Sequence, residues 1–251
     1  MLGGPLGALL GATLGHSFDR GLSQLSIEGL GPADTERTQA AFFTATFSVM
    51  RHLAKVDGRV SEVEIAAARG IMARMQLSED QRQAAIRLFE EGKRSDFPLD
   101  QVLDQFRQEC HRRLNLIQMF LEILVATALA DGGLHATERE LLLDICDRLG
   151  YPRTSFEHLV ALATGFQSHS YRGHQPSQPS RQTLADDYAV LGIDSGASGP
   201  EVKKAYRRLM AQHHPDKLVA KGLPEEMIRL ATEKTQAIRA SYERVKASRQ
   251  S

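Results

Sequence analysis

A histidine, a proline and an aspartate stand together near the C-terminal end of the chain, at His214, Pro215 and Asp216. A basic stretch at residues 201–212 precedes this tripeptide, and a second one at residues 224–246 follows it. Pro215 cannot continue a regular helix, and it disfavours the helical conformation of the residue before it. The pattern therefore predicts two antiparallel amphipathic helices joined by a short polar loop, which is the strongest functional signal in the chain.

The helix before this loop is predicted to have one apolar and one basic side. Its apolar residues recur at three- and four-residue spacing, which places them on a single face: Val202, Ala205, Tyr206 and Leu209. Its basic residues share the other side: Lys203, Lys204, Arg207 and Arg208. Like charges four positions apart destabilise an isolated helix by roughly 0.2–0.5 kcal/mol per pair. An acidic binding partner would explain why they are present, and a solvated helix face is the alternative.

Four short motifs in this region resemble the successive signatures of a J-domain, the module that stimulates ATP hydrolysis by DnaK-type chaperones. They are residues 187–192, 203–209, 213–217 and 240–243. The resemblance implies that His214, Pro215 and Asp216 form the DnaK-activating loop. It implies a DnaK-docking role for a set of basic residues: Lys203, Lys204, Arg207, Arg208 and Lys217. We expect the aromatic and aliphatic residues of the motifs to form a small core: Tyr188, Leu191, Tyr206, Leu209 and Tyr242.

Composition restricts the classes of function. The 251 residues are 42% apolar and 25% charged, as in a soluble protein of more than one domain. From Arg181 onward Lys and Arg outnumber Asp and Glu by 13 to 9, but the rest of the chain has the opposite excess and the net charge is zero. We therefore expect no nucleic-acid partner for the whole chain. Cys110 and Cys146 lack Cys-x-x-Cys spacing, which excludes a zinc-binding substrate module and fits a reducing compartment. With no Ser/His/Asp set, phosphate-binding glycine loop or His-Glu-x-x-His pattern, we expect neither enzymatic activity nor a cofactor.

The first 18 residues form an uncharged apolar segment in which glycine recurs at every fourth position, at Gly3, Gly7, Gly11 and Gly15. In a helix these glycines would form a flat strip that lets two helices approach closely within a bilayer. We therefore predict a membrane anchor at residues 1–18 that dimerises through this strip. The apolar length is shorter than the roughly 20 residues that usually span a bilayer, and a glycine-rich start without an anchor is the alternative.

Helical apolar spacing at residues 39–166 predicts an α-helical bundle of about seven helices. A polar connector at residues 19–38 precedes the bundle, and a flexible linker rich in Ser, Gln, Pro and His follows it at residues 167–183. The J-domain is predicted at residues 184–251. The expected fold class is all-α, with a helical bundle, a linker and a C-terminal J-domain hairpin.

The bundle contains an internal repeat with an offset of 74 residues, in which an Asp-Gly turn is followed by a glutamate. Both copies resemble the TerB-like, or tellurite-resistance, helical domain, which implies metal binding at such turns. The candidate ligands are Asp57, Glu64, Asp131 and Glu138. Two carboxylates per copy are few for a hard cation. Helix capping explains the same residues, with Gly58 and Gly132 in the left-handed conformation and capping boxes that begin at Ser61 and Thr137.

The order of anchor, TerB-like bundle, linker and J-domain resembles the DjlA family of membrane-anchored, DnaJ-like co-chaperones of Gram-negative bacteria. The resemblance implies a protein of the inner membrane whose bundle and J-domain lie in the cytoplasm. It implies that the protein activates DnaK near membrane-proximal clients and acts in envelope-stress or capsule signalling. It leaves the client of the bundle unknown and a homodimer possible. The alternative function is a metal-binding or scaffold protein of TerB type with an accessory J-domain.

Overall fold

The computed structural model describes residues 3–14, 32–56, 62–75, 77–111, 113–172, 184–224 and 227–249. These ranges consist of helices joined by turns and short irregular segments and contain no β-strand, which confirms the all-α fold class. A single helix lies at the N-terminal end: α1 (Gly4–Leu14). Among the described residues seven helices follow: α2 (Pro32–Lys55), α3 (Glu62–Arg74), α4 (Glu79–Glu91), α5 (Leu99–Glu109), α6 (Leu114–Ala128), α7 (Ala136–Leu149) and α8 (Arg153–Arg172). The last four are α9 (Leu184–Leu191), α10 (Gly199–His213), α11 (Pro215–Val219) and α12 (Ile228–Ser248).

Helices α2 and α6 lie at the centre of the bundle formed by α2 to α8. Every residue from 38 to 51 of α2 is buried, and eleven of the fifteen residues of α6 are buried. A helix that is buried on all sides must be surrounded by others, and α2 packs against α4, α5 and α6. The ring of Phe106 in α5 joins the two central helices, since its centroid lies 6.0 Å from that of Phe42 and 4.6 Å from that of Phe120.

Two helices of the bundle extend beyond the predicted boundaries. Helix α2 begins at Pro32, inside the segment predicted as a connector, because proline fits the first position of a helix and Asp34 favours its first turn. Helix α8 continues to Arg172, into the predicted linker, because residues 167–172 contain neither glycine nor proline. The remainder of the predicted linker, residues 173–183, lies outside the described ranges.

The four C-terminal helices form the predicted J-domain hairpin. Helix α10 packs against α12, and α9 packs against both α12 and α8. Tyr188, Leu191 and Leu209 are buried, as expected for core residues, and Tyr206 stacks on Tyr242 with ring centroids 4.2 Å apart. The completely buried Asp187 of α9 accepts hydrogen bonds of 2.6–3.0 Å from the Arg244 guanidinium, which ties the first helix of the hairpin to the last.

The loop end of the J-domain packs directly on the bundle. Leu218, Leu223 and Met227 are completely buried and belong to the same hydrophobic cluster as the bundle core. Gly222 lies so close to α2, at a positive φ of 87°, that an added Cβ would be 3.2 Å from Thr38 Cγ2. The bundle therefore supports the part of the J-domain that contains the predicted activating loop.

Candidate functional site: the loop and basic face of the J-domain

The predicted activating loop consists of one non-helical residue followed by a short helix. Helix α10 ends at His213, His214 has φ −59° and ψ 121°, and Pro215 begins the five-residue helix α11. Proline accounts for this break, because it excludes the helical conformation from the preceding residue while its own φ suits the first position of a new helix. The Leu218 N–H donates to the carbonyl of His214 at 3.1 Å and closes the first turn of α11.

The side chains of His214 and Asp216 differ in their exposure. The Asp216 side chain is 90% exposed, whereas that of His214 is 43% exposed, with the two groups 3.9 Å apart at their nearest atoms. His214 Nδ1 is inaccessible to solvent and has no hydrogen-bond partner among the described residues. Asp216 is thus directed to solvent, and His214 is half enclosed by the protein.

The predicted docking cations lie at the protein surface next to this loop. Lys203, Lys204 and Arg207 are exposed on α10, and Lys217 is exposed on α11. Arg208 is also exposed, but its Nη2 lies 2.8 Å from Nε2 of His158 in α8. Burial and the nearby Arg208 charge both lower the pKa of His158, which leaves a neutral ring whose nitrogen can accept from the guanidinium. One of the four cations of α10 is therefore in contact with the bundle.

Helix α6 contacts both ends of the activating loop through one asparagine. The side-chain amide of Asn115 donates to the Gln212 carbonyl at 3.2 Å, just before the loop. Its side-chain oxygen accepts from Lys221 Nζ at 3.0 Å, just after α11. A single side chain of the bundle thus links the end of α10 to the segment that follows α11.

Seven residues further along the same face of α6, Glu122 is buried against the J-domain. One of its carboxylate oxygens accepts from Lys234 Nζ of α12, and the other accepts from Gln118 Nε2 at 2.8 Å. His213 Nε2 lies 3.4 Å from that second oxygen. Glu122 and His213 are both almost completely buried, so this cluster of polar groups is enclosed between the bundle and the J-domain.

The titration properties of the cluster follow from burial and charge. Burial alone would raise the pKa of Glu122, but the nearby His213 and Lys234 and the hydrogen bonds from Lys234 and Gln118 outweigh it and lower the pKa. Burial lowers the pKa of His213 more than Glu122 raises it, and Lys234 lowers it further. These shifts favour the ionised carboxylate of Glu122 and the uncharged ring of His213.

Sequence reasoning missed this contact, although α6 contains a signal for it. In an otherwise apolar helix, Asn115, Gln118 and Glu122 recur at spacings of three and four and share one face. A polar stripe on a buried helix must have hydrogen-bond partners. The stripe could have indicated a polar interface on this face, but not which segment of the chain forms the other side.

The candidate metal ligands are only partly within the described ranges. Asp57 lies outside them, and so does the side chain of Glu64. Asp131 contacts His135 at 3.0 Å, and Glu138 accepts from the His135 backbone N–H at 3.0 Å, as the N3 residue of a capping box. Nowhere in the described chain do three His, Cys, Asp or Glu side chains converge on a metal position.

This second Asp-Gly turn has the predicted glycine conformation but a different helix cap. Gly132 has φ +113°, as expected for a left-handed stop, whereas Gly58 lies outside the described residues. The capping box was predicted to begin at Thr137. It begins instead at His135, because α7 starts at Ala136 and so includes Thr137 in its first turn.

The predicted anchor region forms α1, which packs against α2, α4 and α5. Leu6 is completely buried there, and its backbone N–H donates to Gln105 Oε1 at 2.8 Å. The glycine strip is described only in part: Gly7 and Gly11 lie within α1, Gly3 precedes it, and Gly15 lies outside the described ranges. The described helix that is long and apolar enough to cross a membrane is not α1 but Leu114–Asp131, which contains α6, and 67% of it is buried in the bundle core.

Three family models match the chain in the predicted order. Residues 1–25 match "Co-chaperone DjlA transmembrane domain", residues 43–161 match "Tellurite resistance protein TerB", and residues 186–249 match "DnaJ domain". The first match supports membrane anchoring at the N-terminus, and the other two confirm the TerB-like bundle and the J-domain.

Several relatives are similar over nearly their whole length. The co-chaperone protein DjlA of Coxiella burnetii is 43% identical over 99% of this chain and 94% of its own. Those of Yersinia pseudotuberculosis and Vibrio cholerae are each 44% identical, over 97% and 93% of this chain and 91% and 88% of their own. No solved structure matches the chain.

Proposed function

We propose that this chain, which belongs to the DjlA family of co-chaperones, stimulates ATP hydrolysis by a DnaK-type chaperone and has no enzymatic activity of its own. The observation that supports this most strongly is the exposure of Lys203, Lys204 and Arg207 on α10 beside the exposed Asp216 of the loop. A partner that approaches this surface meets a row of cations first and the loop at the end of the row.

The two parts of this surface have different roles in the proposal. The basic residues of α10, with Lys217 of α11, attract an acidic surface of the chaperone and fix its orientation. Electrostatic complementarity of this kind acts mainly on association rate and register. His214, Pro215 and Asp216 then act on the docked chaperone to promote ATP hydrolysis. Because the basic side chains are in contact with solvent, added salt weakens the docking step.

The docking role is tested by titrating the full chain into a DnaK-type chaperone and measuring the rate of single-turnover ATP hydrolysis. Arg207→Glu places a negative charge in the row of cations. It should raise the concentration of chain needed for half-maximal stimulation by about tenfold, equivalent to about 1.4 kcal/mol. Arg239→Glu is the matched control, since Arg239 is an exposed arginine of α12 outside the proposed docking surface. Equal half-saturating concentrations for the two variants would contradict the docking role.

We propose further that the N-terminal segment holds the chain at the inner membrane with the bundle and J-domain in the cytoplasm, where DnaK-type chaperones are found. Gly3, Gly7, Gly11 and Gly15 would let two anchors pair. Replacing Gly7 and Gly11 by leucine should abolish crosslinking between copies in lipid vesicles while the chain stays with the vesicles. Undiminished crosslinking in this variant would rule out pairing through the glycines.

In this proposal the bundle selects a membrane-proximal client and the J-domain activates the chaperone beside it. The link to envelope-stress or capsule signalling belongs to the same proposal and rests on the family resemblance. It predicts that cells with His214→Gln in place of the wild type show altered envelope-stress reporter activity or capsule output. An unchanged response in both would argue against that link.

A further inference from the structure

We infer that Asn115 and Glu122 of α6 are positioning residues for the activating loop, so that the TerB-like bundle holds the loop of the J-domain in its active geometry. This inference rests on the proposed function. Neither residue belongs to the J-domain, and both lie on the polar stripe of α6.

The first support is the position of the Asn115 contacts along the chain. Its amide bonds to Gln212 at the end of α10 and to Lys221 beyond α11, so the activating loop lies between the two contact points. The Gln212 carbonyl belongs to the last turn of α10, where carbonyls have no partner within the helix. Asn115 therefore fixes the end of α10 from which the loop departs, and at the same time fixes the segment to which it returns.

The second support is the contact of Glu122 with the residue that precedes the loop. His213 is directly bonded to His214, and its buried ring lies 3.4 Å from the Glu122 carboxylate. Lys234 of α12 donates to the same carboxylate. Glu122 thus fixes the facing part of α12 through a hydrogen bond and lies against the last residue of α10, whose Nε2 has no hydrogen-bond partner among the described residues.

Stability alone is a weak explanation for this cluster. Replacing a buried ion pair by well-packed apolar residues is often neutral or stabilising, and the rest of this α6 face is apolar. A polar stripe can fix the distance and direction between two helices, because hydrogen bonds are directional, whereas apolar contacts are not. The cluster is also next to the loop, whereas Lys203, Lys204 and Arg207 face solvent. Loss of the stripe should therefore impair activation and spare docking.

The experiment compares the full chain with its Asn115→Ala and Glu122→Gln variants in single-turnover ATP hydrolysis by a DnaK-type chaperone, over a range of chain concentrations. Both variants should lower the maximal stimulated rate by about tenfold, since small displacements of a functional group cause losses of this size. The half-saturating concentration should change by less than about twofold, because docking is intact. Glu122→Met combined with Lys234→Met removes both members of this ion pair together and should show the same loss.

The matched control is Glu233→Gln. Glu233 of α12 pairs with Arg74 of the bundle at 3.0 Å, so it also joins the two parts, but both side chains are substantially exposed and neither contacts the loop. This variant should retain the wild-type maximal rate. The inference is overturned if Asn115→Ala and the Glu122 variants keep the wild-type maximal rate, if they exceed it, or if Glu233→Gln loses as much as they do.

A second measurement needs no chaperone and so separates this inference from the proposed function. Hydrogen exchange of the Leu218 N–H, which bonds to the His214 carbonyl, reports on the closure of the loop. Asn115→Ala and Glu122→Gln should speed this exchange by about tenfold, with Glu233→Gln unchanged. Unchanged exchange in the first two variants would overturn the inference. A wild-type chain with a protected Leu218 N–H but no stimulation of the chaperone would contradict only the proposed function.

Discussion

Three histidines are held in positions where a charged ring is unfavourable. Burial is the main cause of the lowered pKa of His52, His158 and His213, and a neighbouring cation lowers each of them further. In the unfolded chain these rings would titrate near pH 6.5. Below that value the unfolded state binds more protons than the folded state, so the free energy of unfolding must fall as the pH falls.

We expect His213→Gln to reduce this pH dependence. The free energy of unfolding should decrease less for His213→Gln than for the wild type when the pH is lowered from 7.5 to 5.5. The difference should be up to about 1 kcal/mol, because the unfolded variant has one proton-binding group fewer. Urea unfolding at the two pH values measures this difference, and only the change with pH is compared. His111→Gln, at an exposed histidine, should behave as the wild type. An identical decrease in all three proteins would contradict the account of His213.

At the scale of elements, the sequence predicts those helices and helix ends that depend on residues close together along the chain. The spacing of Val202, Ala205 and Leu209 predicted α10, and Pro215 predicted where it ends. The packing of α10 and α11 against α6 could not be predicted in this way, since Asn115 and Gln212 are 97 positions apart and no local pattern pairs them. For the same reason the sequence predicted α1 as an apolar helix but not its contact with Gln105.

The start of α7 provides a test between capping and metal binding. Glu138→Gln should leave the free energy of unfolding nearly unchanged, because glutamine at the third helical position accepts the same bond from the His135 N–H. Glu138→Ala should lower it by about 1 kcal/mol. Thermal unfolding with and without calcium or magnesium measures both effects. Stabilisation of the wild type by either ion, lost equally in both variants, would favour metal binding over capping.

For the whole molecule, the structure alters the predicted relation between bundle and J-domain. The sequence predicted a flexible linker between the two parts and no contact between them, whereas the loop end of the J-domain shares the hydrophobic core of the bundle through Leu218 and Leu223. Arg208 and Lys234 add polar contacts with His158 and Glu122. The described parts of the bundle and the J-domain therefore form a single packed body, which would hold the activating surface in a fixed orientation relative to the bundle.

The central claim is that the J-domain of this chain activates a DnaK-type chaperone through its loop. Its most direct test is single-turnover ATP hydrolysis by such a chaperone with the full chain in vesicles of phosphatidylethanolamine and phosphatidylglycerol. The comparison is between the wild type, His214→Gln and the control His111→Gln. The account predicts that the wild type and His111→Gln stimulate hydrolysis and that His214→Gln does not. Equal stimulation by all three, or none by a folded wild type, would contradict it.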